Sequence, residues 1–233
     1  MLLQLIKELQ SKKNLKKAKV LQGFFKTGKG EYGEGDFFLG LTSEQIKGIA
    51  KKYSGLNFSK LQLLLKSKIH EYRMCALRIL VLKYEKADEN GKARIFNFYL
   101  KNAKHINNWD LVDISAPNIV GDFLLNKNKK ILYKLAKSKN LWEKRISVIS
   151  TFAFIKEKKF NDALKISEIL LKDKHDLIHK AVGWMLREIG KRDKKILENF
   201  LKEYYKIMPR TMLRYAIERF EEGERKKWLR GEV

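Results

Sequence analysis

The chain has 233 residues, 44% of them hydrophobic and 11% aromatic, a globular composition with enough material for one sizeable core. Lys and Arg number 51 against 27 Asp and Glu, a formal net charge of +24 whose self-repulsion a polyanion relieves, so nucleic acid is the leading partner. A single cysteine excludes a disulfide framework, and no apolar run approaches membrane-spanning length.

MLLQLIKELQ carries Leu3, Ile6 and Leu9 at helical spacing, but Gln4 and Lys7 break the apolar run. It therefore lacks the form of a secretory signal, and the expected location is cytoplasmic. The basic run KKNLKKAK leads into GFFKTGKGEYGEGDFFLG, the only glycine-rich stretch and an expected loop. Gly23, Gly28 and Lys29 nearly spell a phosphate-binding loop, but Gly30 stands where Ser or Thr must meet magnesium. A basic helix rather than a strand precedes it, so the nucleotide reading is rejected.

Thr42 with Gln45 forms a capping box for a helix over 43–53. Helical patterns then follow over 57–66, 69–86, 91–103, 108–115, 117–124, 128–138, 141–156, 160–171, 175–189, 193–205 and 209–221, with Ser115 and Pro117 expected to end the helix over 108–115. Strand-like alternation is absent. Cys75, in YRMCALRIL, lies on an apolar helical stripe and reads as core.

LYKLAKSKNLWEKRISVISTF, ISEILLKDKHDLIHKAVGWMLRE and LENFLKEYYKIMPRTMLRYAIERF share one plan: a helix, a polar turn, and a second helix opening on a basic residue. Lys144, Lys180 and Arg210 occupy that slot at spacings of 36 and 30, and Arg73 fits it upstream. Periods of this size predict an all-α solenoid of HEAT-like or armadillo-like antiparallel helical hairpins, a single domain over 1–233 with a concave basic face. A cation in the first turn opposes the helix macrodipole, by about a few tenths of a kcal/mol. Compensation by a phosphate makes these four candidate DNA contacts; ordinary solvation of the cations is the competing reading.

HINNWDLVDISAPNIVG is the one place where carboxylates sit among apolar residues. Trp109 and Asp113 are four apart and leave one helix face, whereas Asp110 projects about 100° away and reads as a cap or structural group. The segment resembles the signature of the AlkD-type DNA alkylation repair family, helical-repeat DNA glycosylases. TGKGEYGEGDFFLG, NLWEKRISVIS, HKAVGWMLREIGK and MPRTMLRYAIE resemble further parts of that family in order and spacing, so the resemblance covers nearly the whole chain. A departure lies in LTSEQIKGIAKKY, where relatives have a proline and an arginine around 43–47.

The resemblance implies a catalytic aspartate at Asp113, DNA-facing tryptophans at Trp109 and Trp184, an active-site arginine at Arg145 and a further aromatic at Tyr32. It implies a monofunctional alkylpurine glycosylase acting on N3- or N7-alkylated purines in duplex DNA, without cofactor or metal, as a monomer. Trp184 also reads as core by periodicity alone, and Arg145 as a local salt-bridge partner of Glu143 or Asp113. Trp142 and Trp228 are assigned to packing. His175 and His179 are four apart, but no third ligand has sensible spacing. A DNA-binding relative without catalysis and a helical protein-interaction scaffold are the rival functions.

Overall fold

The computed structural model describes residues 1–233 and is helical throughout, apart from one isolated parallel bridge between Phe37 and Ile69. No helix is long and apolar enough to cross a membrane. The chain divides into two compact units, Met1–Ser115 and Ala116–Val233.

The first unit contains α1 (Leu2–Ser11), α2 (Leu15–Phe24), α3 (Ser43–Lys52), α4 (Phe58–Leu65), α5 (His70–Glu85), α6 (Glu89–Lys101) and nearly all of α7 (Trp109–Ala116). Its centre is α5, which packs against α1, α3, α4 and α6. That position explains the absence of a polar stripe in its first half: every residue from His70 to Leu77 is buried. The expected capping box forms, with Thr42 and Gln45 exchanging side-chain and backbone hydrogen bonds. Asn14, Asn57 and Asp88 cap α2, α4 and α6, each accepting from a backbone N–H three residues on.

The glycine-rich segment between α2 and α3 is a loop tied down at its C-terminal end. Phe37 donates its N–H to Lys68 at 2.9 Å, and its carbonyl accepts from His70 at 2.8 Å. Gly40 has φ +89°, and a Cβ there would lie 2.2 Å from the Asn14 carbonyl, so only glycine admits this approach of the loop to α2. Within the loop, Glu31 accepts the Gly28 N–H and Glu34 the Gly30 N–H, both at 2.8 Å. The N–H groups that a phosphate would need are thus met by the loop's own carboxylates.

The second unit contains α8 (Asp122–Leu124), α9 (Lys130–Ala136), α10 (Leu141–Ser150), α11 (Phe152–Lys156), α12 (Asn161–Leu170), α13 (Asp176–Gly190), α14 (Lys194–Tyr204), α15 (Arg210–Ala216) and α16 (Glu222–Arg230). α10 packs on α13 and α13 on α15, while α9 packs against α10, α14 against α13, and α12 against both α10 and α13. This is the repeated helix-pair arrangement expected from the sequence period. At Gly183 a Cβ would meet the Tyr215 Cβ at 2.5 Å and the Met212 carbonyl at 2.6 Å, so this glycine lets α13 lie close on α15.

Three details differ from expectation. Pro117 does not end the helix; a π-turn over Pro117–Gly121 follows α7 directly. Proline has no N–H to donate to the ladder of α7, and the wider turn begins at that residue. The helix expected over 141–156 is interrupted at Thr151, where Ser150 and Thr151 hydroxyls donate back to the Ile146 and Val148 carbonyls, each at 2.6 Å, competing with the backbone ladder. Finally, α16 lies beyond the last predicted helix; it is strongly polar and buries only Trp228, against Tyr205.

Candidate active site

The N-terminus of α7 is set by Asn108, a fully buried side chain whose Oδ1 accepts the Trp109 N–H at 2.8 Å. The helix then sends Leu111, Val112 and Ser115 wholly into the core. Ser115 Oγ lies 2.9 Å from the hydroxyl of the buried Tyr99. With that face committed, Trp109 and Asp113 remain half-buried at the edge of the helix, one turn apart.

Trp109 rests on a stack of rings that sequence reasoning missed. Phe25 stacks on it at 5.2 Å and 20°, Phe38 stacks on Phe25 at 5.0 Å and 18°, and His70 stacks on Phe38 at 4.5 Å. Phe24 meets Trp109 edge-on at 6.0 Å. Ala18 and Leu21 of α2 complete the cluster. The signal was present: the two aromatic pairs, Phe24–Phe25 and Phe37–Phe38, flank the glycine-rich loop, and each places one ring inside and one outside.

Asp110 turns away from that edge, as its helical position predicts, and accepts from His70 Nε2 at 2.8 Å. On the other side of the imidazole, Nδ1 lies 3.7 Å from Asp36 Oδ2 and 3.5 Å from Arg73 Nη2. Arg73 donates to Asp36 Oδ2 at 2.5 Å and to the Ser67 carbonyl at 2.7 Å. Next to this cluster, the buried Glu71 carboxylate accepts from Leu39, Gly40 and Leu41 N–H groups at 2.9, 2.8 and 3.3 Å. Burial pushes the His70 pKa down, but the carboxylates of Asp110 and Asp36 outweigh it and hold the group above its ordinary value, with Arg73 opposing them.

The four basic residues predicted to meet phosphate have partners inside the protein. Arg73 is 2% exposed and its guanidinium is paired with Asp36. That burial follows from the place of α5 at the centre of its unit. Lys144 pairs with Asp173, and Lys180 with Asp176 at 2.7 Å. Arg210 donates to the Leu229 carbonyl at 2.5 Å and remains exposed. The macrodipole opposition expected of these slots is therefore offset internally, by carboxylates in three of the four.

In the second unit, Arg145 is buried and its Nη1 donates to the Leu177 carbonyl at 2.7 Å. Trp184 is half-buried, its ring 6.1 Å from that of Phe152, so it is not a core residue. Tyr32 is half-buried in the glycine-rich loop. Trp142 and Trp228 are both buried, in keeping with a packing role. His175 accepts the Leu177 N–H as the cap of α13, and His179 lies 2.5 Å from the Asp173 carbonyl.

An all-helical protein built from paired helices, carrying an acid and an indole together at the edge of one of them, is the class that these features define. A family model described as DNA alkylation repair enzyme matches residues 5–220, and the chain belongs to that family. Among solved structures it is similar to a predicted DNA alkylation repair enzyme from Enterococcus faecalis, with 15% identity and a TM-score of 0.68, over 91% of this chain and 98% of that one. It is also similar to AlkD2 from Streptococcus mutans, with 19% identity and a TM-score of 0.55, over 88% and 97% of the two chains. These two likenesses bear on the fold. No curated protein matches the chain significantly.

Proposed function

We propose that the protein is a monofunctional DNA glycosylase that hydrolyses the N-glycosidic bond of N3- or N7-alkylated purines in duplex DNA. The observation that carries this reading is Asp113, a carboxylate at the half-buried edge of α7 beside Trp109, in a chain with a net charge of +24. A carboxylate on a DNA-binding surface weakens attraction to phosphate, so its use is chemical rather than adhesive.

An N3- or N7-alkylated purine already carries positive charge and leaves as a neutral base when the bond to C1′ breaks with its electron pair. No general acid is needed, which suits a single carboxylate rather than the pair that sugar hydrolases use. Positive charge develops at the deoxyribose; Asp113 stabilises it and orients a water that adds to C1′, with the water's proton passing to solvent. The exposed face of Trp109 attracts the cationic base. Lys66, Lys68 and Lys104, which border a pocket of about 360 Å³, supply surface cations for the DNA backbone.

Release of 7-methylguanine or 3-methyladenine from alkylated duplex DNA, without added metal, tests the proposal. Wild type is expected to release base, and Asp113→Asn to lose release while binding DNA equally or more tightly. A wild-type protein that binds the duplex and releases nothing is a binding protein instead, and one that fails to bind at low salt refutes both DNA readings.

A further inference from the structure

The buried cluster around His70 has no role in the proposed chemistry, yet it ties together three segments of the first unit. His70 is 3% exposed, and its partners come from three segments: Asp36 from the glycine-rich loop, Arg73 from its own helix α5, and Asp110 from the first turn of α7. Such a cluster tolerates burial only if its charges balance, the more so because Asp110 Oδ1 and Arg73 Nε are buried without a hydrogen-bond partner. Arg73 with Asp36 and Asp110 leaves one negative charge in excess, and a protonated His70 removes it. Glu71 does not disturb this balance, because three backbone N–H groups already solvate its carboxylate.

Asp110 immediately follows Trp109 and lies three residues before Asp113. Whatever holds Asp110 therefore sets the rotation and axial position of the helix that carries the reacting carboxylate. We infer that His70 is a positioning residue: as an imidazolium bridging Asp110 and Asp36, it locks the first turn of α7 to the glycine-rich loop and thereby places Trp109 and Asp113. This inference deepens the glycosylase reading and rests on it for its effect on rate. The clamp itself is independent of that reading. The charged and titratable groups around His70 are Asp36 on the loop, Glu71 and Arg73 on α5, and Asp110 on α7, with Lys17 of α2 and Arg78 of α5 lining the adjoining pocket. The raised His70 pKa agrees with the balance of charge.

The test uses full-length protein labelled with 5-fluorotryptophan, whose four ¹⁹F resonances are assigned by single Trp→Phe variants. As pH rises through the His70 titration, the Trp109 resonance is expected to shift or broaden while the other three stay in place. His70→Gln and Asp110→Asn are expected to show the high-pH form at all pH values. In single-turnover base release, both variants should be slower by on the order of ten- to a hundredfold, with DNA affinity within about twofold of wild type and the alkaline fall in rate abolished. A Trp109 resonance that ignores both pH and substitution overturns the inference, as does an unchanged release rate in a folded His70→Gln protein. If His70→Gln does not fold, the wild-type titration and Asp110→Asn decide. If wild type releases no base but Trp109 responds as described, the glycosylase reading falls and the clamp stands.

Discussion

Glu71 accepts the backbone N–H of Gly40 at 2.8 Å, from a carboxylate that is 1% exposed and 31 residues away in sequence. Because the same carboxylate also takes the Leu39 and Leu41 N–H groups, one side chain satisfies three consecutive donors of a loop entering α3. Glu71→Ala strands all three, at about 1–3 kcal/mol for each donor left without a partner. We expect the melting temperature to fall by on the order of 10 °C, measured by circular dichroism, with Glu71→Gln intermediate because its amide oxygen still accepts.

Removal of Arg73 tests the structural weight of its buried pair with Asp36. Arg73→Ala leaves Asp36 buried and without its cation, which costs about 3–5 kcal/mol in comparable buried pairs. The expected result is a large loss of chemical stability, whereas Arg210→Ala, at an exposed position, changes stability by less than about 1 kcal/mol. Equal small losses in the two variants would show that the buried pair is not a structural element.

Two glycines give opposite signs. Gly183→Ala places a methyl 2.5 Å from Tyr215 Cβ and 2.6 Å from the Met212 carbonyl and must push α15 from α13, an overpacking cost of about 1–3 kcal/mol. Gly48→Ala, inside α3 with open space around it, gains about 0.5–1 kcal/mol by lowering the entropy of the unfolded chain. Urea midpoints of the two variants should therefore move in opposite directions.

His70 contributes a pH-dependent part of stability whose sign follows from its raised pKa. A group held above its unfolded value of about 6.5 stabilises fully below that pH and loses its contribution as pH rises through the folded pKa. Denaturant midpoints for wild type are expected to fall as pH rises through the folded His70 pKa, and the difference between wild type and His70→Gln to shrink over the same range.

Cys75 is fully buried on α5, and burial pushes its thiol up to about 12. The thiolate is the nucleophile, so the folded protein should leave Ellman's reagent untouched at pH 8 and react with one equivalent only after unfolding. Prompt reaction of the folded protein would mean that the first unit opens readily.

Much of the architecture was legible before any coordinates. Apolar spacing located nearly all the helices, Thr42 and Gln45 marked the start of α3, and the period linking Lys144, Lys180 and Arg210 announced the repeated helix pairs. These are local properties, set by a helical period and by capping groups within three residues, and they survive without knowledge of the neighbours. The sharing of one helix face by Trp109 and Asp113, and the departure of Asp110 from it, belong to the same class, since four residues make about one turn.

What Asp110, Arg73 and Pro117 do was decided only by the tertiary structure. Asp110 finds His70 from 40 residues away, Arg73 finds Asp36 from 37, and the ring of Phe25, backed by Phe38 from across the loop, reaches Trp109. No periodicity encodes such pairings. An arginine at the start of a helix reads the same whether water, phosphate or a buried carboxylate faces it, and the choice is made by which helix becomes the centre of the unit. In this chain α5 takes that place, and burial turns an expected surface cation into part of the framework beneath α7.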